Sequence, residues 1–181
     1  MARNRVTLAV DLKGVRLPTP VLGASGCFGS GQELSGLIDM GKVGGIVTKS
    51  VTLRPVRGLP TPRMVETPSG MLNAIGLQNP GIEEFIRKDG RFISRVGTPV
   101  IVSIAGKSIE EFVRVAARVH EIKGVVAIEA NISCPNVERR NQFFACNPDS
   151  AAEVVGAIAR LSRLPVFAKL TPDVTDIVEV A

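Results

Sequence analysis

The residues in this chain that could do chemistry recur at the ends of short apolar runs. Val21–Leu22 is followed by Ser25–Gly26, and Ile46–Val47 by Thr48–Lys49–Ser50. Val100–Ile104 carries Ser103 near its end. Val125–Ile128 leads into Asn131, Ser133 and Cys134, and Val166–Leu170 carries Lys169. A lysine at the end of a buried strand is costly without a counter-charge. Lys49 and Lys169 together therefore point to a small anionic ligand, with ion pairs to Glu66 or Glu129 as the plain alternative. Cys134 lies within "NISCPN", residues 131–136. Three readings of it stay open: a small buried hydrophobe, a metal ligand, or a reactive thiol whose thiolate form nearby lysines favour.

Other motifs dissolve on inspection. "AGKS" at 105–108 resembles part of a phosphate loop, but that motif needs a glycine where Ile101 stands. "GSGQEL" at 29–34 lacks the third glycine of a dinucleotide fingerprint. Cys27, Cys134, Cys146 and His120 are the only cysteines and histidine, and their spacing matches no zinc site, so no metal is expected. His120 falls near a helix end, where it complements the helix dipole or meets solvent.

Parallel β/α architecture would place those run ends together. The runs are β-rich and almost continuously apolar, as strands buried on both faces are. Helical patterns separate them: Gln32–Met40, Ile82–Val96, Ile109–Ile122 and Asp149–Leu164, the last opening with "NPDS". Repeated β-α order implies a parallel sheet with right-handed crossovers, and in such proteins ligands bind beyond the carboxyl ends of the strands. Val6–Leu17 reads as a small hairpin around "DLKG". A long Pro- and Gly-rich loop runs from Lys49 to about Asn79, and loops of that length are usually functional. "VTDIVEVA" reads as the first turns of a helix capped by Thr175. Five β-α steps are counted, whereas a complete eight-stranded barrel takes about 250 residues. The expectation is one domain over 1–181 that is either an open sheet or a barrel stopping early.

Composition fits a globular chain. It has 181 residues, 45% hydrophobic and 22% charged, with no apolar run near the roughly 18–20 residues of a membrane span. The basic start is broken by Asp11 and Lys13, unlike a secretory signal. Three cysteines fit a reducing cytosol better than a disulfide framework. The net charge of +5 comes from basic residues interleaved with acids, and Trp and Tyr are absent. Neither nucleic-acid binding nor membrane binding is expected.

The stretches "TKSVTLRP", "LPTPRMVETPSGMLNAIGLQNPG", "NISCPNV" and "VFAKLTPDVTDIVEVA" resemble class 1 dihydroorotate dehydrogenase. "GMLNAIGLQNPG" is most like the class 1B catalytic subunit. The likeness runs from about Leu17 to Ala181. It implies a (β/α)8 TIM barrel, here about five β/α units and an N-terminal hairpin, ending before strands six to eight and the glycine-rich loops that hold the FMN phosphate. It also implies FMN as cofactor and oxidation of dihydroorotate to orotate in pyrimidine biosynthesis.

The resemblance assigns roles residue by residue. Cys134 matches the base that takes the C5 proton, while the C6 hydride goes to flavin N5. Lys49 matches a lysine touching flavin and substrate. Asn73, Ala74, Ile75, Gly76 and Leu77 match a substrate segment. Asn131 matches a contact to both substrate and flavin, and Asn136 a further substrate contact. Ser25, Ser50 and Lys169 match FMN contacts, as does Ser103, although the family has asparagine there. Asparagines suit a ring of amide donors and acceptors, and a fixed lysine suits the charge that reduced flavin gathers near N1 and O2. A separate iron–sulfur and FAD subunit using NAD is the implied partner, within a homo-oligomer or heterotetramer in the cytoplasm. Two other expectations compete: a non-catalytic fragment or pseudoenzyme, or a related dehydrogenase acting on a dihydropyrimidine such as dihydrouracil.

Overall fold

A computed structural model of the chain describes residues 6–133 and 144–181. The chain opens with the expected hairpin. Strands β1 (Val10–Leu12) and β2 (Val15–Leu17) pair antiparallel across Lys13 and Gly14. Both turn residues have positive φ, 50° and 89°, as a two-residue turn matched to strand twist requires. The Asp11 carboxylate accepts the Gly14 N–H at 2.8 Å, closing the turn.

Strands β3 (Leu22–Gly23) and β4 (Gly45–Val47) follow. Next come an antiparallel pair, β5 (Met64–Thr67) and β6 (Gly70–Asn73), and helix α1 (Ile82–Ile93). The remainder alternates: β7 (Val100–Ile104), α2 (Ile109–Val119), β8 (Val125–Asn131), α3 (Pro148–Leu161), β9 (Val166–Lys169) and the short α4 (Ile177–Val180). Strands β3, β4, β7, β8 and β9 form one parallel sheet in that order. Each new strand adds beside the last, so the chain never doubles back as an open doubly wound sheet does. This is the strand order of a TIM barrel, and the chain supplies five strands of one.

Strand alternation divides the core in two. On the outer face, Ile46, Val100, Val102, Ile104 and Ile128 pack against Phe85 of α1, Phe112 and Val115 of α2, and Val154 and Ile158 of α3. On the inner face, Val47, Ile101 and Ala127 meet Val15 and Leu17 of the N-terminal hairpin. Those residues fill the bottom of the barrel, which leaves the strand ends at the top for polar groups.

Several expectations change. Gln32–Met40 is not a helix: two 3-10 turns, Gln32–Leu34 and Met40–Lys42, flank a break at Ser35–Gly36, where glycine disfavours a continuous helix. Helices α1, α2 and α3 each end about one turn before the apolar pattern does. Val96, Ile122 and Leu164 still pack on the core, but from beyond the helix ends. The last helix is capped by Asp176, whose carboxylate accepts the Val178 N–H, rather than by Thr175. The long loop contains β5 and β6, joined through Pro68–Ser69. Proline after Thr67 and glycine at its close are the residues a tight turn prefers.

Candidate functional site

The site is built at the carboxyl ends of the strands. Thr48, Lys49 and Ser50 follow β4, and the chain stays extended far enough for Val51 to bridge Ile104. The Thr48 hydroxyl accepts the Ser103 N–H at 3.2 Å, tying the tips of β4 and β7 together. Ser50 is buried, and its Oγ lies 2.8 Å from Ser103 Oγ. Asn131, the last residue of β8, donates Nδ2–H to Ser50 Oγ at 2.8 Å, and its Oδ1 accepts from Ser133 Oγ at 2.8 Å. Ser103, Ser50, Asn131 and Ser133 thus form one hydrogen-bonded row across three strands. The Ser103 side chain is fully buried, and its hydroxyl bonds Ser50.

The two lysines differ. Lys169 at the end of β9 lies beside Asn131 in register and forms an ion pair with Glu129, Nζ to Oε1 3.0 Å. The ion pair to Glu129 foreseen for the rim lysines is present at this one. Lys49 is half-buried, and its N–H donates to the Gly29 carbonyl at 2.7 Å. Among the described residues its ammonium has no ion pair. It borders a cavity of about 230 Å³ whose lining includes Ser30, Glu33, Ser50, Asn79 and Asp89. Ser30 donates both N–H and Oγ–H to Glu33 Oε2, at 3.0 and 3.1 Å. Burial raises the Asp89 carboxyl above its ordinary range, and Glu33 pushes the same way. Ser25 sits half-exposed in the turn after β3. That turn is shaped by Gly23, where a Cβ would come within 2.5 Å of the Phe28 ring.

The segment from Asn73 to Leu77 descends from the exposed strand β6. Asn73 and Ala74 are exposed, while Ile75, Gly76 and Leu77 are half-buried. The Ala74 N–H donates to the Arg63 carbonyl at 2.8 Å and the Ile75 carbonyl accepts from Leu59 N–H at 3.0 Å. Gly76 and Leu77 both take positive φ, 74° and 53°. That is open to glycine but strained for leucine. No hydrogen bond among the described residues joins this segment to the Asn131 row. Cys134 and Asn136 lie outside the described residues.

Asn79 is the residue that sequence reasoning missed. It is buried and anchors the far end of the long loop. Its Oδ1 accepts from Thr52 N–H (3.1 Å), Thr52 Oγ1 (3.0 Å) and Gly81 N–H (2.9 Å), and its Nδ2 donates to the Leu77 carbonyl at 2.9 Å. The signal was present in "NPG", an Asn–Pro pair immediately before a helix. The residues set aside are structural as well. Ser108 of "AGKS" caps α2 by accepting Glu111 N–H, and His120 is the exposed C-cap of that helix. Among the described residues no cluster of three metal-ligating groups exists, and no helix is long and apolar enough to cross a membrane. Cys27 and Cys146 are free thiols.

Comparison with known proteins adds relatedness to this geometry. The family model described as dihydroorotate dehydrogenase matches residues 7–181. A protein of Geotalea daltonii named "dihydroorotate dehydrogenase B (NAD(+)), catalytic subunit" is 48% identical over 174 residues, covering 96% of this chain and 57% of that protein. Proteins of the same name from Pelobacter propionicus and Listeria monocytogenes are 48% and 47% identical with the same coverage. The chain therefore spans little more than half the length of the curated relatives it matches.

Proposed function

The chain belongs to the dihydroorotate dehydrogenase family, and from that premise we propose that the protein oxidises dihydroorotate to orotate in pyrimidine synthesis, with FMN as its cofactor. The observation that carries the reading is the hydrogen-bonded row Ser103–Ser50–Asn131, flanked by Lys49 and Lys169 at the ends of parallel strands. The donor set fits an electron-rich heterocycle. Asn131 commits one amide hydrogen to Ser50 and keeps the other, and Lys49 has three N–H donors and no ion pair among the described residues. Residues that would hold FMN are Ser25, Lys49, Ser50, Ser103, Asn131 and Lys169, with Ser103 also bonded to Ser50. When bound, the flavin supplies a hydride acceptor.

The chain's own groups do the rest. Lys49, Asn131, Asn136 and the segment Asn73–Leu77 hold the substrate's carboxylate and amide groups. Cys134 as thiolate takes the proton from C5, and loss of hydride from C6 completes the double bond of orotate. Lys49 favours dihydroorotate over a dihydropyrimidine without a carboxylate, because a half-buried ammonium needs a counter-charge. The relatives' name, a catalytic subunit of an NAD(+)-dependent enzyme, supports a separate partner subunit. That this partner carries iron–sulfur and FAD groups, and that the complex works in the cytoplasm, is part of the proposal. The proposed unit is a single barrel domain in a homo-oligomer or heterotetramer.

The test is anaerobic mixing of the FMN-loaded protein with substrate. Dihydroorotate is expected to bleach the flavin band and yield orotate, while dihydrouracil leaves the band intact. Bleaching by dihydrouracil alone overturns the substrate, and no bleaching by either overturns the activity.

A further inference from the structure

Glu129 is an acid in an unusual position. It lies within β8, on the inner face shared with Ala127 and Asn131, between Ser103 of β7 and Phe167 of β9 in register. Its side chain is 15% exposed, and Oε1 is fully buried. That oxygen lies 3.0 Å from Lys169 Nζ but receives no hydrogen bond of sound geometry from the described residues. The contact is thus one of charge rather than of aligned donor and acceptor. Such a pair is a poor device for stability, since desolvating two charges offsets most of their attraction. It is a good device for holding a cation in place while leaving its N–H groups for something else. The register puts Lys169 beside Asn131, one pleat above Glu129, and the Lys169 side chain keeps 34% of its surface exposed.

We infer that Glu129 is a positioning residue for Lys169: it holds the ammonium on the inner face beside Asn131 and sets how strongly that charge acts on a ring gaining electrons. This rests on the reading that Lys169 faces the flavin. A lysine there stabilises the negative charge of the reduced ring. A carboxylate 3.0 Å behind it damps that effect. Glu129→Gln keeps the shape and an acceptor oxygen but removes the opposing charge. The reduced flavin should then gain affinity relative to the oxidised form.

Two measurements test this separately. The first needs no flavin: urea denaturation of Lys169→Met, Glu129→Gln and the double variant. Lys169→Met strands a buried carboxylate and should lower the midpoint. Adding Glu129→Gln should restore most of that loss, and strictly additive effects overturn the pairing. The second is the reduction potential of FMN bound to the wild type and to Glu129→Gln. The variant is expected to favour reduced flavin about tenfold more, which is about 30 mV for a two-electron couple. An unchanged or lower potential with flavin still bound overturns the inference. Coupled midpoints in a wild-type protein that binds no FMN overturn the flavin reading instead, and with it the role given to Glu129 there.

Discussion

At the scale of single residues, the site is a set of side chains whose hydrogen bonds are only partly used. Asn131 spends one donor and its acceptor within the protein, and Lys49 spends none of its ammonium donors on an ion pair among the described residues. Cys134 is the residue on which the proposed chemistry turns. Cys134→Ala is expected to keep bound FMN but to slow its reduction by dihydroorotate by about 10²–10⁴-fold, the usual worth of a positioned base. Cys134→Ser should fall between, because a hydroxyl is a far weaker base near neutral pH. Stopped-flow flavin bleaching reads both, and rapid bleaching in the alanine variant removes Cys134 from the role. The polar residues were legible in the sequence because they interrupt or end apolar runs. Their arrangement was not. The run Val125–Ile128 stops three residues short of the end of β8, since Glu129 and Asn131 turn polar groups to the inner face while remaining strand. Hydrophobicity marks where a strand is buried in apolar surroundings, and it fades where the site begins. Ser103 shows the same limit: its bond to Ser50 spans 53 residues of sequence.

At the scale of elements, the long loop after β4 matters most. Its only regular part, β5–β6, is exposed along its whole length and offers no burial pattern to read, so sequence reasoning saw only punctuation. What holds the loop's end is Asn79. Asn79→Ala would leave Thr52 N–H and Gly81 N–H without their acceptor at the start of α1. The expected loss is about 2–4 kcal/mol by denaturation, from unsatisfied buried groups. Asn79→Asp keeps the acceptor and should cost less. Helix α1 also carries two acids with opposite pH behaviour. Half-exposed Glu84 is drawn down from 4.5 to about 2 by hydrogen bonds from Arg87 and Lys88. Its contribution is therefore present above pH 4.5 and fades as pH falls through that window. Asp89 is raised above 3.8, first by burial, with Glu33 and Glu84 adding to the shift and Ser30 and Lys88 opposing it. The folded state holds that proton more tightly, so stability falls as pH rises through the folded pKa. Asp89→Asn should accordingly raise the melting temperature at pH 7, with the gain vanishing below about pH 3.8. A variant no more stable than wild type at neutral pH would show that the carboxylate's contacts outweigh its desolvation.

At the scale of the whole molecule, the parallel β-α alternation was legible because strands buried on both faces are written as nearly continuous apolar runs. The choice between an open sheet and a barrel was not, and only the family resemblance pointed to the barrel order. The helix ends were less legible than the alternation, because Val96, Ile122 and Leu164 extend the apolar spacing while packing from outside the helices. The least legible feature is that the N-terminal hairpin belongs to the barrel's interior. Its pattern predicts two short strands but not what they cover. In the structure Val15 and Leu17 are 3% and 1% exposed and lie against Val47, Ile101 and Ala127 of the inner face. The hairpin thus closes the end of the sheet opposite the site and gives β4, β7 and β8 a common surface. Leu17→Ala should remove that support and leave a void, costing about 2–5 kcal/mol. Leu12, in the same hairpin but 37% exposed, should tolerate alanine within about 0.5 kcal/mol. Urea denaturation of the two variants separates a structural plug from a loosely attached arm. A large difference ties the hairpin to the inner core, whereas near-equal midpoints would mean that it folds independently of the sheet. If it is a plug, Leu17→Ala should also weaken FMN binding without touching a proposed flavin contact, because loosening the inner face shifts the strand ends that carry Ser50, Asn131 and Lys169.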